Sequence, residues 1–457
     1  MIVCKFGGTS VQDAEAIGRV AQIIGDRLKE HPVVVSSAMG KTTNALLEIA
    51  ETAAQGNAET ALRLLNQSHN MHLTFAQDFG LAISKDEVFL TMSQYFKEMC
   101  NIVQGLSSLG ELTPRSKDAM ASYGERLSTL ILAAVLEKHG VPARLLDTRR
   151  CIITDDNFTR ANPLFELTDT AIREQVLPVV ERGQVPVLQG FIASTRNGIT
   201  STIGRGGSDY TASIVGAALG ARDIQIWTDV DGIMTADPRL VPEARRIKVI
   251  SFDEAAELAY FGARVLHPFT ILPAVRKNIP VHVLNSFRPD LGGTLIAREA
   301  PACKNPIKSI ACKKGITVIN IVSTRMLMAY GFLKTIFEIF DRFRIPVDVV
   351  STSEVSVSVT VDETSALSDV LSELRKIGEV TVDEGKAVVC CVGDNLRNIP
   401  GVARQVFAAV DDINIHMISQ GASAINITFV VDADQLAEVV RLLHGALFQT
   451  TDPQNFE

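Results

Sequence analysis

The chain lacks any uncharged apolar run of the ~18 residues that a membrane-crossing helix needs. It lacks a concentrated basic face as well: the formal net charge is -8, and Lys and Arg are dispersed along the chain. Nucleic acid is therefore disfavoured as the main partner, since neutralising phosphates requires clustered cations. A small anionic substrate needs only a local basic pocket and stays compatible with that charge. The seven cysteines are an odd number and include no CxxC pair. That excludes a zinc ribbon or a disulfide framework in favour of reduced thiols. No signal peptide is expected, because the apolar run Met1 to Cys4 is cut off by Lys5 and two glycines. These absences together predict a cytoplasmic protein with neither a membrane nor a nucleic-acid partner.

What is present is ordinary in bulk and specific in pattern. At 46% hydrophobic and 21% charged, the composition is that of a globular protein. Its 457 residues exceed one hydrophobic core and predict two or three domains. In the first half, short apolar runs alternate with helical periodicity. Ile2 to Lys5, Val33 to Val35, Val185 to Leu188, Ile224 to Trp227 and Val281 to Leu284 read as strands. Ile17, Val20, Ala21, Ile24 and Leu28 recur at helical spacing, with Ser10 and Asp13 resembling a capping box at the helix start. Residues 50 to 135 read as mostly helical. Strand-helix alternation predicts an α/β domain, a mainly parallel sheet with helices on both faces. From Pro289 to Pro306 the Pro, Gly and Ala content predicts a linker.

An internal repeat follows, its copies about 70 residues apart. Gly331-Phe332-Leu333, Phe337 and Ile345 to Ser351 in the first copy answer to Gly401-Val402-Ala403, Phe407 and Ile413 to Ser419 in the second. Each copy reads strand, helix, strand, strand, the order of a small ferredoxin-like sandwich. Such a pair suits ligand sensing or dimer contacts better than a catalytic cleft.

Two glycine loops carry the chemistry. Lys5-Phe6-Gly7-Gly8-Thr9-Ser10 lies between a strand and a helix, where successive N–H groups can form an anion nest beside a full positive charge. Alone, it reads equally well as a tight turn. Gly204-Arg205-Gly206-Gly207-Ser208-Asp209 opens a second helix. Two such loops fit a substrate bearing phosphates and carboxylates, with Arg205 offering a planar fork and Asp209 able to position Lys5. Met39-Gly40-Lys41-Thr42 ends like a Walker A loop, but Val35 stands where that loop needs glycine. Thr42, Thr43 and Asn44 suit substrate hydrogen bonds or helix capping. Glu125, after Tyr123-Gly124, reads as near a helix start, and His69 and His72 share a helix face without a third metal ligand.

Taken in order, KFGGTS at the N-terminus, SYGERLS at 122–128, GRGGSDYTA at 204–212, WTDVDGI at 227–233, TADPR at 235–239 and FGARVLHP at 261–268 resemble aspartokinases. The length and tandem repeat are similar to the monofunctional, lysine-sensitive type with two ACT domains. The resemblance implies an amino-acid-kinase three-layer sandwich over 1–295 and an effector-binding ACT domain over 314–385. A second ACT domain, for dimerisation, would be assembled from 299–313 and 386–457. It implies transfer of the ATP γ-phosphoryl group to the β-carboxylate of L-aspartate, with Mg²⁺ held mainly by phosphates and water and no dedicated protein cage.

By the same resemblance Lys5 stabilises the transferring group and Asp209 organises it, while Gly7, Gly8 and Thr9 line the phosphate site. Ser37, Thr43, Glu125, Phe191 and Arg205 hold aspartate, with Arg205 on its α-carboxylate and Glu125 facing its ammonium. Thr228, Asp229, Met234, Arg239 and Arg264 contact ATP. Met234 and Arg264 depart from the family's tyrosine and lysine. Met326, Phe332, Leu333, Val347, Asp348, Ser353 and Glu354 resemble an effector site for lysine, with threonine the alternative. Solvated sheet-edge charge is the lesser alternative for Asp348 and Glu354. A homodimer through the ACT domains is implied, with pairing into tetramers left open. A kinase for glutamate or N-acetylglutamate is the competing reading, against which the ACT pair and SYGERLS argue.

Overall fold

The computed structural model describes residues 1–81, 87–262, 268–326 and 330–457. It divides into two compact units: 1–233, 249–252 and 265–300 form the first, and 234–248, 253–264 and 301–457 the second.

In the first unit the fully apolar runs become strands buried on both faces, as parallel strands between helical layers must be. These are β1 (Ile2–Phe6) and β2 (Pro32–Ser36), separated by α1 (Ala14–Gly25). Four helices follow: α2 (Thr42–Ala54), α3 (Ala58–Asp78), α4 (Glu87–Leu109) and α5 (Pro114–Lys138). The chain continues through β3 (Ala143–Leu145), β4 (Ile153–Thr154), α6 (Phe165–Glu181), β5 (Val185–Gln189), β6 (Ile192–Thr195) and β7 (Thr200–Thr202). Then come α7 (Gly207–Leu219), β8 (Asp223–Thr228), β9 (Val249–Ser251), α8 (Phe252–Tyr260), α9 (Leu272–Lys277), β10 (Val281–Asn285) and β11 (Thr294–Ala297). All but Phe252 of α8 falls in the second unit.

Eight strands form one sheet in the order β3-β5-β2-β1-β8-β10-β11-β9, parallel except where β11 meets β10. β4, β6 and β7 make a smaller three-stranded sheet. Beneath the large sheet Phe6 and Trp227, both fully buried, stack with centroids 6.1 Å apart. Truncating either to alanine would cost about 3–5 kcal/mol.

Three readings of the sequence are corrected here. The cap of α1 is Asp13, which accepts the Ala16 N–H at 2.8 Å, whereas Ser10 is buried in a 3₁₀ turn and bonds Ser286 Oγ at 2.8 Å. The turn consumes one more residue than a direct strand-to-helix step, so the cap moves on. Glu125 stands mid-way along the 25-residue α5 rather than near its start. Gly124 belongs to that helix interior because a Cβ there would lie 3.0 Å from Ala38 Cβ and 3.1 Å from Thr43 Oγ1. Close approach outweighs the ~1 kcal/mol propensity cost of glycine. The stretch read as a linker contains β11, whose alternating burial seats Thr294 in the core.

In the second unit the repeats supply β12 (Ile307–Val322), α10 (Phe332–Arg342), β13 (Val350–Thr352), β14 (Ser356–Val361), α11 (Leu367–Leu374) and β15 (Glu379–Gly393). They continue with α12 (Val402–Ala408), β16 (Met417–Gln420), β17 (Asn426–Asp432) and α13 (Leu436–Leu447). The six strands make one antiparallel sheet, β13-β14-β12-β15-β17-β16. Along β12, Thr317–Val322 pair with β14, while Ser309–Lys314 pair with Ala387–Val392 of β15. Ile319, Ile336, Phe340 and Val359 anchor a separate core under the first repeat.

Candidate active site

Parallel strands end together, and the sheet brings the C-terminal ends of β1, β2 and β5 side by side. A crevice beyond strand ends is where open α/β sheets bind ligands. It is a cleft of about 320 Å³ in the first unit, lined by Lys5, Gly8, Ser37, Thr43, Glu125, Phe191, Arg205 and Asp209 together with the 204–208 loop. Both glycine loops therefore face one cavity. Of the residues expected at the phosphates, Gly8 lines it directly. Gly7 donates its N–H to Trp227 O at 3.1 Å, and Thr9 follows in the 3₁₀ turn.

Lys5 Nζ sits 2.6 Å from Asp209 Oδ1, with the two side chains only 10% and 14% exposed. Asp209 occupies the first turn of α7, where the helix dipole favours a carboxylate. Gly206 caps that helix in the left-handed region at φ 71°, a conformation glycine adopts without strain. Arg205, next to it, is exposed and pairs with no described residue.

Glu125 is the opposite case. It is buried within α5, its Oε1 accepting the Ala38 N–H at 3.3 Å while Oε2 has no hydrogen-bond partner among the described residues. Burial pushes its carboxyl up to about 8, against the pull of the Ala38 and Thr43 hydrogen bonds. A buried carboxylate with one free oxygen facing a cleft is suited to a cationic ligand group. Phe191 holds a left-handed φ of 67°, its N–H bonded to Thr211 Oγ1 and its carbonyl to Ile203 N.

The remaining expected nucleotide contacts do not line this cleft. Thr228 ends β8 and bonds Asp229 Oδ1 at 3.2 Å. Met234 and Arg239 belong to the second unit, where Met234 O accepts from Ser309 Oγ at 2.7 Å and Arg239 grips Asp237 through two guanidinium nitrogens. Arg264 lies outside the described residues. His72 bonds Ser68 O through Nδ1 at 2.7 Å, and His69 stacks on Phe96. Among the described residues no cluster of His, Cys, Asp or Glu is placed to hold a metal ion, and no helix is long and apolar enough to cross a membrane.

The expected effector residues lie in the second unit. Asp348 precedes β13, taking the Tyr260 hydroxyl on Oδ1 at 2.6 Å and Lys313 Nζ on Oδ2 at 3.4 Å. Glu354 is exposed at the other end of β13, beyond Ser353, so one chain does not bring the two carboxylates together. Met326, Phe332 and Val347 are partly buried against the first-repeat core, and Leu333 is exposed. Sequence reasoning missed Asp118, a second buried carboxylate on α5 that ties two loops together. Its spacing of two helical turns from Glu125 was the available signal.

This sheet, with its paired glycine loops and following antiparallel repeats, is that of an amino acid kinase joined to ACT domains. The amino acid kinase family model matches residues 1–285 and an ACT domain model matches 389–447. Lysine-sensitive aspartokinase 3 of Escherichia coli is 38% identical over 98% of this chain and 99% of its own length. The crystal structure of E. coli aspartokinase III in complex with aspartate and ADP (R-state) matches with a TM-score of 0.85 at 36% identity, covering 98% of this chain and all of that one. The same enzyme with lysine and aspartate (T-state) matches at 0.82, with equal identity and coverage. The chain belongs to the aspartokinase family, and aspartate kinase activity is its function.

Proposed function

We propose that the cleft transfers the γ-phosphoryl group of ATP to the β-carboxylate of L-aspartate, giving 4-phospho-L-aspartate. The observation that carries this is the Lys5–Asp209 pair, 2.6 Å apart between two glycine loops that share a cavity with Glu125 and Arg205. The relative solved with aspartate and ADP supports it. The substrate carboxylate is already nucleophilic, so the chain needs to position and neutralise rather than deprotonate. Lys5 meets the charge of the transferring group and Asp209 aims Lys5, while Gly8 and Thr9 offer N–H groups to the phosphates and Gly7, its own N–H given to Trp227 O, shapes the loop that presents them. Arg205 takes the α-carboxylate with its fork, Glu125 takes the ammonium on its free oxygen, and Ser37, Thr43 and Phe191 close the pocket. Thr228 and Asp229 at the end of β8 serve the nucleotide, and Met234, Arg239 and Arg264 are assigned to it by their motifs alone.

Mg²⁺ supplies charge neutralisation on the phosphate oxygens. Asp209 is the carboxylate nearest in kind to a ligand here, and its Oδ1 is committed to Lys5. The ion would therefore keep phosphate oxygens and water around it. We assign 1–295 to catalysis, 314–385 to effector binding, and 299–313 with 386–457 to a second ACT domain through which a homodimer forms in the cytoplasm. The effector is lysine, with Asp348 and Glu354 contributed from the two different chains of the homodimer and Met326, Phe332, Leu333, Val347 and Ser353 beside them; the lysine-bound relative supports that choice.

Replacing Lys5 by alanine should lower kcat about 10²–10³-fold, the cost of removing one preorganised charge-stabilising donor. Retained turnover would refute the role given to Lys5, and turnover on glutamate alone would refute the substrate. Glu125 adds a pH signature. Its folded-state carboxyl lies near 8, so an ammonium ligand must displace a proton below that pH. The KM for aspartate should fall as pH rises towards about 8 and then level off, and Glu125→Gln should flatten the profile while weakening binding.

A further inference from the structure

Glu125 and Arg205, the two groups read above as aspartate anchors, reach the cleft from different elements. Glu125 stands on a long helix, and Arg205 on a glycine-rich loop where its side chain pairs with none of the described residues. Something must hold that loop at a fixed distance from the helix, since a ligand bound at both ends reads their separation.

Asp118 does this from α5 itself. It lies seven residues before Glu125, two turns or about 10 Å along the axis, and is 2% exposed. Its Oδ2 accepts the N–H groups of Thr159 and Thr202, each at 2.9 Å, and its Oδ1 accepts the Thr202 hydroxyl at 2.7 Å. Thr202 ends β7, three residues before Arg205. Thr159 belongs to the 155–162 loop and adopts a left-handed φ of 70°, a strained state for a β-branched residue. That loop runs under the start of the glycine loop: Thr159 O would stand 3.4 Å from a Cβ on Gly204, and Ala161 N–H donates to Thr202 O at 2.9 Å. Burial raises the carboxyl of Asp118, and its three hydrogen bonds pull it back. Such a group survives burial only where its bonds are made.

We infer that Asp118 is a positioning residue for aspartate: it clamps the Arg205 loop to α5 and so sets the spacing between the carboxylate and ammonium anchors. The inference rests on the roles proposed for Arg205 and Glu125. The clamp acts on amino-acid binding and leaves the nucleotide side alone, which separates it from a general contribution to stability.

The test is steady-state kinetics of the full chain, with aspartate and ATP varied separately. Asp118→Ala should raise the KM for aspartate about 10-fold or more, as expected when buried backbone donors lose their acceptor, with the KM for ATP changed less than about 2-fold. Asp118→Asn should recover most of the loss, because its amide oxygen can still take both N–H groups while its NH₂ meets the Thr202 hydroxyl. Leu132→Ala, a core truncation elsewhere on α5, should lower the Tm without moving the aspartate KM. Equal shifts in both KM values, no shift in either, or no rescue by asparagine would overturn the inference. Should Asp118→Ala fail to fold, Thr202→Val decides. It deletes only the hydroxyl bond and should raise the aspartate KM about 3-fold; an unchanged value overturns the inference. Arg205→Ala separates the two levels: if it leaves the aspartate KM intact, the proposed anchor roles fail, whereas a large effect there beside a silent Asp118→Ala fails the clamp alone.

Discussion

The two repeats of the second unit share a plan of elements, and a small charge cluster common to both differs in one group. In each, a lysine on a long strand pairs with an aspartate at the end of another: Lys313 with Asp362, and Lys386 with Asp432 at 2.6 Å. A third residue stands just before the edge strand, its N–H bonded to the neighbouring strand. That residue is Asp348, bonded to Thr360 O at 3.0 Å, in the first repeat and His416, bonded to Val430 O at 2.9 Å, in the second. Asp348 leaves the first cluster with one carboxylate more than its lysine can neutralise, and it recruits the Tyr260 hydroxyl. His416 leaves the second cluster balanced, its Nε2 sharing Asp432 with Lys386. Identical folds can thus present opposite chemistry. Among the described residues only the first cluster has a carboxylate in excess, and that carboxylate is held by the Lys313 ammonium, which a cationic ligand of the kind proposed above would displace.

The comparison can be broken in several places. The largest expected effect is Asp348→Ala, which should raise the lysine concentration for half-inhibition about 10–100-fold, the worth of a charge-assisted bond. His416→Ala should leave it unchanged. Equal responses in an inhibition assay would mean that the repeats are not specialised. Tyr260→Phe should act in the other direction, tightening lysine binding about 3–10-fold by freeing an oxygen of Asp348; calorimetric titration reads the difference. His416→Asp sharpens the idea further. A second spare carboxylate should add a weak second lysine site per chain, visible as a change in stoichiometry; an unchanged stoichiometry would show that one carboxylate at this position is not enough.

The smallest effect is on pH stability. The Lys386 and His416 contacts hold Asp432 below its usual 3.8, so their stabilisation is present above that pH and lost as pH falls through the depressed value. Lys313 is pulled down by burial but raised overall by Asp362 and Asp348. Its stabilisation is present below 10.5 and lost as pH rises through the raised value. Melting curves of Lys386→Met and Lys313→Met should converge on the parent protein at opposite ends of the pH range.

Much of the site was legible because its signals are local. An apolar run such as Ile2–Cys4 and a glycine pair close to a lysine are each contained in a few residues, and parallel pairing then brings strand ends together without further instruction. What was misread depended on partners far along the chain. Gly124 looks like a helix boundary until Ala38 is known to lie against it. Thr294–Ala297 looks like linker because its strand character comes from β9 and β10, not from its own composition. Asp118 is one acidic residue in a polar stretch, and its meaning appears only where Thr159 and Thr202 converge on it. The separation of Asp348 from Glu354 along β13 likewise needed the hairpin to be seen.

The 16-residue β12 has a consequence for how this protein can be divided. Its first half pairs with the part of β15 that continues into the second repeat, and its second half pairs with β14 of the first. Cutting the gene between the copies would therefore leave one fragment with a strand it cannot use and the other with an open sheet edge prone to adhesion. The two repeats are interleaved like the halves of a dovetail joint. Recombination can transfer the pair between enzymes, but it cannot cleanly exchange one member for another.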